Sequence, residues 1–101
     1  MSNKKMRHSA KWMTLVDDRV LEYIDEHRHG SPTEMMEEGP IRYSRQYIAE
    51  RCQILADHGL LTAVGNGVYT ITENGQKYLR GDLDTGELDT DGENGEGAAQ
   101  A

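Results

Sequence analysis

Residues 44–72 read SRQYIAERCQILADHGLLTAVGNGVYTIT, and two structural periods meet inside this stretch. Ser44 is a natural N-cap and Gly59 a natural stop, which predicts a helix over about 44–58. Ile48, Cys52 and Leu55 fall on one face of it, flanked by Ala49 and Ala56, while Arg45, Gln46, Glu50 and Gln53 point elsewhere. The period then changes. Leu60 to Val64 and Val68 to Thr72 are β-prone runs, separated by Gly65-Asn66-Gly67. An Asn-Gly pair between such runs is the strongest short hairpin signal, because a tight two-residue turn needs positive φ at both positions.

Upstream, a first helix is predicted from about Val16 to His29, with Thr14 as a possible cap and Asp17 and Asp18 complementing its positive end. Trp12, Met13, Val16, Val20, Tyr23, Ile24 and His27 form a stripe at three- and four-residue steps, and Gly30 is expected to end the helix. Ser31-Pro32-Thr33-Glu34 is a second helix start, combining a cap, a proline at the first helical position and a capping-box glutamate. Gly39-Pro40 should stop that helix early, leaving Met35 and Met36 as its only apolar residues. Downstream, a last short helix over about Glu73 to Arg80 carries Tyr78 and Leu79.

Charge divides the chain into three parts. Of its 101 residues, 18 are acidic and 11 basic, for a net charge of −7. Seven of the acids lie in residues 81–101, where there is no base, so the first eighty residues are neutral overall. Four bases (Lys4, Lys5, Arg7, Lys11) fall in the first eleven residues, where there is no acid. The reading is a flexible basic arm at 1–11, a folded domain at 12–81 and a disordered acidic tail at 82–101. A core of about 70 residues is marginal alone, which points to a homodimer.

No apolar run approaches the roughly 20 residues of a membrane span. The basic N-terminus is not followed by the apolar stretch of a secretory signal. The single cysteine, Cys52, cannot form an internal disulfide. An intracellular, cytoplasmic protein is expected.

Catalysis finds no footing. No phosphate-binding glycine loop and no nucleophile elbow occurs, and Ser44, Asp57 and His58 share one helix at spacings unsuited to a triad. No cofactor and no metal site is expected: His27 and His29 lie on different helix faces, with His8 and His58 distant. Cys52 reads as core rather than as a redox sensor, and His27 as a packed or interface residue.

Two short helices joined by a glycine-containing turn suggest a helix-turn-helix, and a hairpin directly after the third helix makes it a winged helix. The fold class is therefore mainly α with a small β-hairpin wing (α+β). Such a helix fits the major groove, with the hairpin beside it. Leu55-Ala56-Asp57-His58-Gly59-Leu60-Leu61 resembles the ending of winged-helix recognition helices. Together with the wing at 65–75, the SPTE start at 31–34 and YLRGDLD at 78–84, it is similar to haloarchaeal winged-helix regulators related to the repressor of phage phi-H. The resemblance covers about residues 12–84.

The resemblance implies sequence-specific binding of double-stranded DNA by a homodimer, with repression as the default outcome. It places a recognition helix at about 44–58 and a wing at about 62–72. Arg45, Gln46, Tyr47, Glu50 and Arg51 would lie nearest the DNA. Ser44 and Arg42 could contact phosphate, and Asn66 could reach a phosphate or the minor groove from the wing tip. The chemistry suits some of these residues, since Arg pairs with guanine and Gln with adenine. Glu50 repels phosphate, though it can accept from cytosine, and the wing carries no Lys or Arg. In molar salt the Debye length is about 3 Å, so a neutral domain gives up little long-range steering.

Several features keep two readings. Arg45 and Gln46 read either as base contacts or as a solvated helix face. Trp12 with the basic arm either reaches DNA or pins the terminus to the core or a partner subunit. The acidic tail is either a solubility feature or a nucleic-acid mimic. A winged helix serving only as a protein-interaction module is the alternative function. It would gain if Arg42, Arg45 and Arg51 were paired with Glu37, Glu38 or Glu50.

Overall fold

The structure is a computed structural model and describes residues 7–39 and 41–83. Its elements follow the order α1 (Leu15–His27), α2 (Pro32–Glu38), α3 (Arg45–Asp57), β1 (Leu61–Gly65), β2 (Val68–Ile71) and α4 (Glu73–Leu79). This is the winged-helix arrangement of helices followed by a hairpin.

The helix starts form by local chemistry. Ser31 Oγ accepts from the Glu34 amide at 3.2 Å, and Glu34 Oε1 accepts from the Ser31 amide at 3.0 Å. Each partner satisfies an amide that the helix itself leaves without an acceptor. Gly39 closes α2 by donating its amide to the Met35 carbonyl; Pro40 lies outside the described residues. Ser44 Oγ accepts from the Tyr47 amide at 3.1 Å. Thr72 Oγ1 caps α4 through the Gly75 amide and also donates to the Gly59 carbonyl at 2.7 Å, tying the start of α4 to the end of α3.

The hairpin is antiparallel, pairing Leu61 with Ile71, Thr62 with Thr70 and Ala63 with Tyr69, and the register shifts between Ala63 and Gly65. Asn66 and Gly67 hold φ of 57° and 77° at its tip, the signs a type I′ turn demands. Gly30 bridges to Tyr69 from outside the hairpin, with both backbone hydrogen bonds made, at 3.0 and 2.8 Å.

One helix end and the setting of two stripe residues differ from expectation. Helix α1 ends on Arg28, which takes up the left-handed conformation at φ 76°, and not on Gly30. Gly30 serves a different need. A Cβ there would meet the Tyr23 ring and Ile24 Cγ1 at 3.1 Å, so its smallness lets the chain reach Tyr69. Trp12 and Met13 likewise lie before α1, in the segment leading into it, and pack on the core from there.

The packed body also begins before Trp12. Arg7 donates Nε to the Leu79 carbonyl at 3.0 Å and a guanidinium nitrogen to Glu22 at 2.7 Å. Ser9 donates to the Tyr78 hydroxyl, which itself donates to Asp18, and Ala10 is buried. Arg7 and Ser9 thus tie the segment before Trp12 to α1 and α4, where a flexible arm was expected over residues 1–11; residues 1–6 lie outside the described residues. At the other end Leu83 packs against the core, and the acidic tail beyond it also lies outside the described residues.

Val20, Leu21, Ile24, Met35, Ile48, Cys52, Leu55, Leu60 and Tyr78 form the fully buried centre, drawn from every helix and from the entry to β1. Burying about nine such side chains supplies on the order of 1.5–3 kcal/mol each before the entropy of ordering is subtracted.

Candidate nucleic-acid interface

Residues 42–46 are all exposed, a run made by the turn into α3 and its first two residues. Ile41 before it and Ile48 after it are buried, so the run is presented from two anchored points. Ser44 adopts an extended conformation at φ −66°, ψ 152°, and its hydroxyl caps the helix. The first amides of α3 then face outward at the positive end of the helix dipole. Arg42 and Arg45 flank this end. Among the described residues no carboxylate pairs with either of them; the ion pairs present involve Arg7, Arg19, Arg51, Lys77 and Arg80.

Gln46 and Glu50 are exposed farther along α3, and Tyr47 is half-buried. Gln53 continues the exposed face and donates to Asp57 at 3.0 Å. The wing adds an exposed strip from Thr62 to Gly67, with Asn66 at its tip and Val64 55% exposed.

Tyr43 is a residue that sequence reasoning passed over. It is 53% exposed, and its ring lies 5.2 Å from that of Tyr47 at a 39° tilt. An aromatic directly before an N-cap, between two arginines, was the available signal. A phenol there offers both a flat apolar surface and a hydroxyl donor at the helix start.

Arg51 does not join this face. Its Nε donates to Asp17 Oδ1 at 2.8 Å, and one terminal nitrogen donates to Asp17 Oδ2 at 2.7 Å and to the Trp12 carbonyl at 2.9 Å. The side chain is 12% exposed and that of Asp17 is 0% exposed. The hydrogen bond to Asp17 raises the Arg51 pKa further, against the opposing effect of burial. Arg51 was expected beside Arg45 and Gln46, but helical spacing puts position 51 beside the buried stripe, and a carboxylate from α1 draws the guanidinium inward, away from the exposed run.

Cys52 is fully buried, and burial pushes its thiol up to about 12. It stays a protonated core residue across the neutral range. His27 is exposed, and its ring stacks on that of Tyr23 at 4.0 Å. Among the described residues no cluster of three or more His, Cys, Asp or Glu side chains is placed to hold a metal ion. No described helix is long and apolar enough to cross a membrane.

Comparison with known proteins agrees with this architecture. A family model described as the winged helix-turn-helix phage repressor matches residues 6–91. The "Repressor protein" of Halobacterium phage phiH is 33% identical over 92 residues, spanning 83% of this chain and 98% of that protein. The crystal structure of the PhiH1 repressor-like protein from Haloarcula marismortui is similar at a TM-score of 0.79 and 49% identity, covering 81% of this chain and 93% of the other. With the fold, the matched length and both relatives in agreement, the chain belongs to the winged helix-turn-helix phage repressor family.

Proposed function

We propose that this protein is a sequence-specific repressor that binds double-stranded DNA as a homodimer in the cytoplasm, with the N-terminal half of α3 in the major groove and the wing beside it. One observation carries the reading: Arg42 and Arg45 stand exposed at the amide-rich start of α3, with no carboxylate partner among the described residues. That is the chemistry of a phosphate and base-edge contact. Arg45 and Gln46 read bases, Glu50 accepts from cytosine, and Arg42, Ser44 and Tyr47 hold phosphate, with Tyr43 added to that group. Asn66 contacts the backbone or minor groove from the wing tip. The names of the relatives support repression as the outcome.

Fluorescence anisotropy tests this with duplexes tiled across the gene's upstream region and pooled genomic fragments, over a salt series. One duplex binds well above random DNA, and Arg45→Ala or Gln46→Ala removes that preference by about 1–3 kcal/mol each. A two-fold symmetric dimer predicts a pseudo-palindromic site. Absence of binding to every fragment at low and high salt would sink the proposal and favour the protein-interaction module. Among the described residues none of Arg42, Arg45 and Arg51 pairs with Glu37, Glu38 or Glu50, the pairing that would favour that second reading; Arg51 pairs instead with Asp17.

A further inference from the structure

Two contacts join the segment before α1 to the second half of α3. At position 51 the guanidinium forks onto Asp17 and reaches the Trp12 carbonyl. At position 58 the His ring stacks on the Trp12 indole, with centroids 4.0 Å apart and planes 21° from parallel. His58 Nδ1 is held at 3.0 Å from the Ile54 carbonyl, which orients that ring. Seven residues separate the two points, which is two helical turns and about 10 Å along one side of α3. Asp17 is held in turn, because its Oδ2 also accepts from the Thr14 amide at 2.9 Å.

The Asp17–Arg51 pair is an uneconomical way to gain stability. Desolvating both charges offsets most of their attraction, and apolar pairs of similar volume are often as stable or more so. What a bidentate pair supplies beyond an apolar contact is direction: the planar fork meets a carboxylate in one orientation. Base readout needs such direction, since side chains must be held to within about 0.5 Å and 10–20° of their productive geometry.

We infer that Asp17, Arg51, Trp12 and His58 form a clamp that sets the rotation of α3 about its axis, and that Arg51 is a positioning residue for DNA recognition rather than a phosphate ligand. The inference rests on the proposed DNA-binding reading of α3. It extends that reading by assigning part of operator discrimination to residues that touch no DNA.

The test compares wild type, the double variant Asp17→Leu/Arg51→Met, and Arg51→Lys, which keeps the charge but loses the fork. Each is titrated with the best-binding duplex recovered from genomic fragments and with a random duplex of equal length, across a salt series. Residual dipolar couplings of the free proteins report the orientation of α3 relative to α1. The double variant is expected to remain folded, with α3 reoriented and discrimination lowered about tenfold, comparable to one bidentate base contact. Its salt slope stays at the wild-type value, because no phosphate contact is removed. Arg51→Lys shows the same pattern in milder form and serves alone if the double variant does not fold. A slope reduced by about 0.9 would make Arg51 a phosphate ligand and overturn the inference. So would unchanged discrimination, or an unchanged α3 orientation in a folded variant. If wild type binds no duplex, the DNA reading itself fails, and the couplings alone decide whether the clamp orients α3.

Discussion

Arg45 and Arg51 stand six residues apart on the same helix and have opposite fates. Arg45 is exposed and, among the described residues, has no carboxylate paired with it, whereas Arg51 is 12% exposed and bound to a fully buried aspartate. The contrast extends to the two halves of α3. The first half carries the cap, the outward amides and a run of exposed polar and aromatic side chains. The second half is held by α1, by Trp12 and, through Gly59, by Thr72 of the α4 cap. The division is between an exposed head and a fixed shaft: one end of α3 is open to solvent, and the other makes its contacts internally.

The largest expected effect comes from breaking the shaft. Asp17→Ala leaves the Arg51 charge without its buried partner and is expected to lower unfolding stability by about 3–5 kcal/mol, read from urea denaturation. A loss below about 1 kcal/mol would mean that the inner half is no better anchored than the outer. Alkaline pH should loosen the buried core. Burial raises the thiol of Cys52 from 9.0 to about 12, and burial together with the Asp18 hydrogen bond raises the Tyr78 phenol from 10.0 to about 12. The folded state holds these protons more tightly than the unfolded chain. Their contribution is therefore complete below pH 9.0 and lost as pH rises through about 12. Melting temperatures measured from pH 8 upward should fall in that window, and Cys52→Ala should shift the onset of the fall upward.

At the open end the effects on stability shrink. Ser44→Ala removes the cap of α3 and is expected to cost about 1 kcal/mol. Hydrogen exchange should show the loss concentrated in the first turn, with the second half retaining its protection; uniform loss along α3 would erase the division between halves. Arg45→Ala should change stability by less than about 0.5 kcal/mol, the range of surface substitutions. On the proposed reading its effect falls on DNA affinity, and a large stability loss would show that Arg45 has a structural partner after all.

Much of this architecture is legible residue by residue. The caps at Ser31, Ser44 and Thr14 lie at the predicted helix starts. The Asn66-Gly67 turn is where two β-prone runs required one. The stripe of Ile48, Cys52 and Leu55 is buried as its spacing implied. Other features left weaker traces. Nothing local marks Arg28 as the residue that turns left-handed at the end of α1, since glycine two positions later is the better candidate by propensity. The basic character of residues 1–11 suggested a flexible arm, whereas Arg7 finds Glu22 on α1 and a carbonyl on α4. Of the residues expected near DNA, Arg42, Ser44, Arg45, Gln46, Tyr47, Glu50 and Asn66 lie exposed or half-exposed on α3, its lead-in turn and the wing tip, and Arg51 alone turns inward.

Sequence alone determined the order of elements, their starts and the hairpin, because caps and tight turns are satisfied by partners three or four residues away and apolar spacing declares which face is buried. Tertiary structure alone decided which arginine of α3 faces outward and how the N-terminal segment is used. Those outcomes depend on partners 34 to 72 residues distant, Asp17 for Arg51 and Leu79 for Arg7. A charged side chain at the border of a helix face can turn either way, and the free energy of meeting a buried carboxylate exists only once the chain has folded to bring one there.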